Sequence, residues 1–173
     1  IIHMTKAVKH IFIISTIAVF VILLDSYTKS LVLDILGKFD NEIYGVTPFF
    51  NIALVKNYGI SFGMFNYERN SQIYFIILIS LITFVFFIWG ARSDDARLQY
   101  PIGAIVGGAI GNLIDRFSFG SVIDFLDFHY GGQHFPAFNV ADSAIFLGIL
   151  AIVVMPNKPS KTTKKDGQNS DKT

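Results

Sequence analysis

Aspartates are the side chains in this sequence whose placement best suits chemistry. The 173 residues include no cysteine, which excludes disulfides, thiolate metal sites and a cysteine nucleophile. Asp25, Asp115 and Asp142 each stand at an end of an apolar block, and Asp124 lies between the last two blocks. Carboxylates in or near a bilayer cost free energy unless they are paired or hydrated, and they mark sites or ion paths. The placement of these four aspartates therefore predicts a functional site.

Two of these aspartates have a cation close by in the sequence. Asp25 and Lys29 are four residues apart, so in a helix they share one face, either as a neutralising pair or as groups that hold a substrate. Asp115 stands next to Arg116, and an Asp–Arg pair is a common structural brace in which both charges are satisfied. The sequence favours bracing for the second pair and leaves both roles open for the first.

Asp124 and Asp142 differ because neither has a cation adjacent in the sequence. Two carboxylates that are brought together do not both ionise easily, so one holds its proton while the other stays charged. A pair in that state can act as an acid and a base. Spacing by itself does not choose Asp124 over Asp115 or Asp127.

Glycines mark two stretches that have a structural interpretation of their own. Asn57-Tyr-Gly59 permits a tight backbone turn and also offers amide and N–H donors, and spacing alone favours the plain turn. Gly107 and Gly111 are four residues apart, a spacing that predicts close helix packing in lipid.

Histidines raise the alternative of a zinc site. His129 and His134 lie near Asp127, but a zinc site requires three or four well-placed ligands. We therefore favour interface histidines without a metal, and we expect the chain to need no metal or other cofactor.

Composition and apolar blocks indicate that a membrane positions these groups. Hydrophobic residues make up 52% of the chain and charged residues 16%, with 18 Phe, whereas a soluble domain would carry more charge. A helix needs roughly 20 mostly apolar residues to span the hydrocarbon. Residues 70–91 contain no charged residue and are the clearest such block. A cleavable signal peptide is a weaker interpretation of the first block, since no small-x-small site follows Leu24. We predict four transmembrane helices, at about residues 7–33, 70–91, 98–115 and 139–155.

Basic residues in the short flanks predict the orientation. They precede the first block, separate the second from the third and follow the fourth: Lys6, Lys9, Arg92, Arg97, Lys158, Lys161, Lys164 and Lys165. We expect all three flanks, and therefore both termini, to be cytoplasmic, with the aspartates at the outer ends. We also expect the natural chain to begin at Met4, so that residues 1–3 are not part of the fold, and residues 156–173 to be a disordered tail.

The two outer segments differ from ordinary loops. Residues 37–69 hold turn formers around β-prone runs, and residues 117–138 are rich in aromatic residues and Gly, which indicates a position at the interface. The predicted fold class is an all-α polytopic membrane protein with four transmembrane helices. It would form one catalytic domain over residues 1–155, with a small extracytoplasmic β-containing segment between spans one and two.

The order of the polar motifs resembles lipoprotein signal peptidase, the type II signal peptidase of bacteria. The likeness extends over roughly residues 7–155, and the last three motifs are the most specific. The motifs are Asp25-x-x-x-Lys29, Asn57-x-Gly59, Gly107-Gly-Ala-x-Gly-Asn-x-x-Asp-Arg116, Gly120-x-Val-x-Asp-Phe125 and Phe138-Asn-x-Ala-Asp-x-x-Ile145. One departure is Ile60-Ser61, where small residues would be expected after Gly59, and it leaves open how that loop contacts substrate.

The resemblance implies an aspartic endopeptidase of the bacterial inner membrane with its site toward the outer leaflet. Its substrate would be a prolipoprotein that carries a diacylglyceryl group on a cysteine, cut on the amino side of that cysteine. It implies Asp124 and Asp142 as the catalytic dyad. We expect membrane lipid as a partner, no nucleic acid, and a monomer. The residues expected to bind substrate or support the site are Asp25, Lys29, Asn57, Gly59, Asn112, Asp115, Arg116 and Asn139.

Two rival classes have weaker support. A transporter or channel would use the acidic cluster as an ion site, but no internal repeat is visible and no charge interrupts the predicted inner ends of the helices. A non-catalytic scaffold would have no need for both Asp124 and Asp142.

Overall fold

Four helices and a small antiparallel sheet make up the fold. A computed structural model describes residues 5–38, 43–59 and 69–156. The expectations for residues 1–4, for Ile60-Ser61 and for the tail beyond residue 156 fall outside these ranges. The elements in the described ranges are α1 (Lys6–Leu36), β1 (Ile43–Thr47), β2 (Phe50–Asn57), α2 (Arg69–Arg92), a short 3₁₀ helix (Ala96–Leu98), α3 (Gln99–Phe119), β3 (Val122–Tyr130), β4 (Gln133–His134) and α4 (Val140–Val154).

The helices coincide with the four predicted apolar blocks. Within the described residues, two helical stretches, Lys6–Leu36 and Gln72–Arg92, are long and apolar enough to cross a membrane. Helix α4 has 15 residues, about 22 Å at 1.5 Å per residue, so it is shorter than the roughly 30 Å hydrocarbon core. Helix α3 carries Asp115 and Arg116 in its last turns.

Glycines let α3 pack closely between two other helices. A Cβ atom at Gly107 would lie 2.7 Å from the carbonyl oxygen of Ala18 on α1. A Cβ atom at Gly108 would overlap the carbonyl oxygen of Ala141 on α4. The predicted close packing at Gly107 is confirmed. Because of this fit, α3 lies directly against both α1 and the N-terminal end of α4.

The all-α class is wrong, because the segments between α1 and α2 and between α3 and α4 form a four-stranded sheet in the order β1-β2-β3-β4. The sequence predicted β structure only between the first two helices, but β3 comes from the segment between α3 and α4. Strands β2 and β3 are antiparallel, with Asn57 opposite Val122 and Val55 opposite Asp124. An isolated hairpin is marginally stable, and β3 pairs with the strand edge that a β1–β2 hairpin would leave open.

The sheet is fixed to the C-terminal end of α1 by an apolar cluster. Val32 and Leu36 of α1 pack with Leu54 of β2 and with Ile123 and Phe125 of β3. Side chains alternate between the two faces of a strand, so the residue between Ile123 and Phe125 points away from this cluster. That residue is an aspartate, and it is the first member of the candidate site.

Candidate active site

Two aspartates from different elements meet at one asparagine. Asp124 lies on β3 and is 1% exposed, whereas Asp142 lies in the first turn of α4 and is partly exposed. Asn139 is fully buried, and its side-chain Nδ2 donates a hydrogen bond to Oδ1 of Asp124 over 2.7 Å. Its Oδ1 accepts a hydrogen bond from the backbone N–H of Asp142 over 2.8 Å. Asn139 therefore connects the two carboxylate-bearing elements.

The start of α4 explains the position of Asp142. Asn139 is the N-cap, and Oδ2 of Asp142 accepts a hydrogen bond from the Asn139 backbone N–H over 3.3 Å, which completes a capping box. The capping box that begins α4 thus places the Asp142 carboxylate near Asp124, at the start of β3.

Two further amides orient the carboxylates. Asn57, at the end of β2, donates through Nδ2 to Oδ2 of Asp124 over 2.9 Å, and its Oδ1 accepts the N–H of Gly59 over 3.1 Å. Asn57 is therefore both a turn residue and a donor, whereas spacing had favoured the plain turn. On α3, Asn112 donates through Nδ2 to Oδ1 of Asp142 over 2.7 Å.

The ion pairs that brace the site differ in part from those predicted from the sequence. Lys29 pairs with Asp25 over 2.6 Å, as the helical spacing predicted, and also with Asp115 over 2.8 Å. Among the described ion pairs Asp115 has Lys29 as its partner, so the predicted Asp115–Arg116 pair is wrong. Adjacent residues of a helix do not face each other, and Arg116 instead donates to the backbone oxygen of Asn112 over 3.3 Å.

Arg116 still contributes to the charge of the site. Arg116 is attracted most strongly by the charge of Asp142, less strongly by that of Asp124 and least by that of Asp115. The dyad therefore has a cation in space that its sequence neighbours did not reveal.

Burial gives Asp124 an unusual proton affinity. Loss of solvation raises the pKa of Asp124 to about 7, although the hydrogen bond from Asn57 acts in the opposite direction. The negative charge of Asp142 raises the same pKa further, while the Asn139 hydrogen bond and the charge of Lys29 lower it. Near neutral pH this carboxyl group can therefore hold or release a proton.

An apolar groove opens beside Asp142. It has a volume of about 470 Å³ and is lined by Phe135, Phe138, Asp142, Ser143, Phe146 and Leu147. Sequence analysis missed Ser143, Phe146 and Leu147. Phe146 follows Asp142 by four residues and Leu147 follows Ser143 by four, so each pair lies on one side of α4. That i, i+4 spacing is the signal that would have found them.

The histidine cluster lies on the sheet. Asp127 accepts hydrogen bonds from Asn51 and from His134 Nδ1, both over 2.8 Å, and the rings of His129 and His134 stack 5.0 Å apart. Burial tends to raise the pKa of Asp127, but the hydrogen bonds from His134 and Asn51 outweigh it and lower that pKa. In the described part of the chain no group of three or more His, Cys, Asp or Glu is placed to hold a metal ion.

Comparison with known proteins identifies the family. The family model described as signal peptidase (SPase) II matches residues 17–156. The chain belongs to the signal peptidase II family. A protein of Desulforapulum autotrophicum named lipoprotein signal peptidase is 39% identical over 153 residues, which cover 86% of this chain and 92% of the relative. One of the same name from Janthinobacterium sp. is 40% identical over 139 residues, covering 79% and 83%.

A solved structure agrees with the fold. It is described as a bacterial membrane enzyme determined by the in meso method at 1.9 Å resolution, and it shares 32% identity with a TM-score of 0.63 over 80% of this chain and 88% of its own. The stretch matched by the signal peptidase II model contains both aspartates of the candidate dyad and all the residues that hydrogen-bond to them.

Proposed function

We propose that this chain removes signal peptides from diacylglyceryl-modified bacterial prolipoproteins, cutting on the amino side of the lipidated cysteine. The observation that carries the proposal is the pair Asp124 and Asp142, held by Asn139, with Asp142 at the wall of an apolar groove. A groove walled by Phe and Leu suits a lipid-bearing peptide, and a carboxyl pair beside it suits hydrolysis of an amide.

The proposed mechanism is that of an aspartic endopeptidase. Asp124, the buried member, starts protonated and donates a hydrogen bond to the oxygen of the scissile carbonyl. Asp142, which faces the groove, takes a proton from a water molecule whose oxygen attacks the carbonyl carbon. When the tetrahedral intermediate collapses, the C–N bond breaks and Asp142 returns its proton to the leaving amine. Asp25, Lys29, Gly59, Asn112, Asp115 and Arg116 support this arrangement.

We further propose that all four helices span the bacterial inner membrane as a single domain over residues 1–155. The exposed surface of α4 is strongly apolar, with Phe146 65% and Val153 74% exposed, as expected of a helix in contact with lipid. Its short length would place the capping box and the dyad at the lipid–water interface.

The orientation proposal is supported by contacts at the opposite end of the bundle. Lys6, at the start of α1, pairs with Asp94 between α2 and α3 over 2.5 Å. Arg97 donates to the backbone oxygen of Pro156, beyond α4, over 3.0 Å. These three segments lie together on one side, and their basic residues favour the cytoplasm. The dyad then faces the outer leaflet.

The direct test replaces each catalytic carboxylate with its amide. Asp124→Asn and Asp142→Asn are expressed separately, membrane insertion is confirmed, and processing of a diacylated prolipoprotein is followed on a gel. We expect a loss of rate on the order of 1,000-fold or more for each. Asp34→Asn, an exposed aspartate at the outer end of α1, is the matched control and should process normally. If either dyad variant processes at the parental rate, the assignment is wrong.

A further inference from the structure

Two backbone N–H groups next to the dyad are held by other aspartates. The N–H of Ile123, which precedes Asp124, donates to Oδ2 of Asp115 over 3.0 Å. The N–H of Ala141, which precedes Asp142, donates to Oδ1 of Asp25 over 2.9 Å. Each dyad aspartate is therefore attached, one residue upstream, to a separate buried carboxylate.

A single ammonium group joins those two carboxylates. The Nζ atom of Lys29 lies 2.6 Å from Oδ2 of Asp25 and 2.8 Å from Oδ2 of Asp115, and all three side chains are at most 7% exposed. Gly111 provides the room, since a Cβ atom there would lie 2.8 Å from Oδ2 of Asp25. Two buried carboxylates without a cation between them would repel each other or take up protons.

Lys29 also reaches the dyad by a third route. Its Nζ donates to Oδ1 of Asn112 over 3.2 Å. An ammonium can only donate, so it orients the amide with its oxygen toward Lys29 and its Nδ2 toward Asp142, which accepts over 2.7 Å.

We propose that Lys29 is the positioning residue of the dyad, setting the separation of Asp124 and Asp142 through Asp115, Asp25 and Asn112. This inference rests on the proposed function of the dyad. Lys29 touches neither catalytic carboxylate within hydrogen-bond distance among the described contacts, so it acts through the groups it holds. A misplacement of about 1 Å between reacting groups can cost on the order of 100-fold in rate.

The charge of Lys29 provides a second readout. The charged groups that act on Asp124 are Asp142 from α4, Lys29 from α1 and Arg116 from α3. The charge of Lys29 lowers the pKa of Asp124, so its removal should raise that pKa.

The test compares Lys29→Met with Lys38→Met. Lys29 lies in the C-terminal part of α1 and Lys38 lies just beyond its end, and each pairs with the aspartate four residues earlier, but the Lys38–Asp34 pair is exposed. For Lys29→Met we expect kcat to fall on the order of 10- to 100-fold with little change in KM, and the loss of activity on the alkaline side to move to higher pH. Lys38→Met should match the parent in both. Parental kcat and an unchanged pH profile in inserted Lys29→Met would overturn the proposal.

A second variant covers the case in which Lys29→Met does not insert. Asp25→Asn combined with Lys29→Met removes one negative and one positive charge, so the net charge of the buried group is unchanged. We expect this variant to insert and to remain slow. The proposal is overturned if this variant processes like the parent. It is also overturned if the variant fails to insert, because Asp25, Lys29 and Asp115 would then have a structural role only. A parental enzyme that does not process prolipoprotein would instead count against the proposed function.

Discussion

The two aspartates of the proposed dyad are the same side chain in two environments. Asp124 is enclosed by the sheet and by two amides, whereas Asp142 borders the groove. Burial penalises the charged form, so in the proposed mechanism Asp124 is the member that holds the proton. The division of labour between acid and base follows from this difference in solvation.

A pH dependence follows at the scale of this residue. In the proposed mechanism the active dyad carries one proton, and burial raises the pKa of Asp124 to about 7. As pH rises through that value both carboxylates become charged and the acid is lost. Because this pKa belongs to the substrate-free enzyme, we expect kcat/KM to fall above about pH 7, approaching tenfold per pH unit, when processing of a diacylated prolipoprotein is measured in detergent across pH.

A single substitution tests the direction in which the pH profile shifts. The Asn57 hydrogen bond lowers the pKa of Asp124, so Asn57→Ala should raise it and move the alkaline loss of activity to higher pH. A profile that stays in place, or shifts to lower pH, would contradict the assignment of this limb to Asp124.

The sequence predicted which polar residues lie together in the structure better than it predicted the partner of each one. The Asp25–Lys29 pair follows from helical spacing and is confirmed. The partner of Asp115 comes from another helix, which no local spacing reveals. The backbone donors Ile123 and Ala141 carry no side-chain signal at all, because their role depends on where the strand and helix sit in space.

Among the elements, α3 has the most demanding position because it packs between α1 and α4. Its glycines allow the approach, and the groups that anchor the dyad lie along the same helix at Asn112 and Asp115. The positions of Asn112 and Asp115 therefore depend on how closely α3 packs against α1 and α4. A change in packing should reach the dyad.

Gly108→Ala tests that link. The added Cβ would overlap the carbonyl oxygen of Ala141, so α4 must shift together with Asp142. We expect a loss of roughly 1–3 kcal/mol in stability, measured by thermal unfolding in detergent, and a clear fall in kcat at temperatures where the variant is folded.

Gly45→Ala is the control for that experiment. Its Cβ would lie 3.6 Å from the nearest atom, Oδ1 of Asn51 on the sheet, so no overlap arises. Equal losses of kcat in both variants would show that helix packing at Gly108 is not what holds the dyad in place.

The elements themselves were predictable to different degrees. The long apolar runs located the four helices because helix formation in an apolar block depends on local sequence. The sequence places residues 117–138 at the interface and does not predict strand β3, because Val122–Tyr130 is a strand only when β2 lies beside it. Such pairing joins residues far apart in the chain, and single-sequence patterns do not specify it.

For the whole molecule, the two ends of the bundle have different chemistry. The dyad, its buried anchors and the sheet occupy one end. The ion pair of Lys6 with Asp94 and the contact of Arg97 with Pro156 occupy the other. Phe146 and Leu147 are both exposed on α4, so in the proposed function a lipid-modified substrate would reach the groove from the side. The orientation of the bundle therefore decides which leaflet delivers the substrate.

Reporter fusions after Trp89 and after Met155 test that orientation. Both points lie at the end of the bundle where Lys6, Arg92 and Arg97 gather, and basic flanks favour the cytoplasm. We expect a reporter that is active only in the cytoplasm to work at both points, and one that is active only outside to fail. A fusion within the β1–β2 turn, after Pro48, should give the opposite pattern and so controls for expression. An external signal after Trp89 or Met155 would place the dyad in the inner leaflet, where a substrate from the outer leaflet cannot reach it.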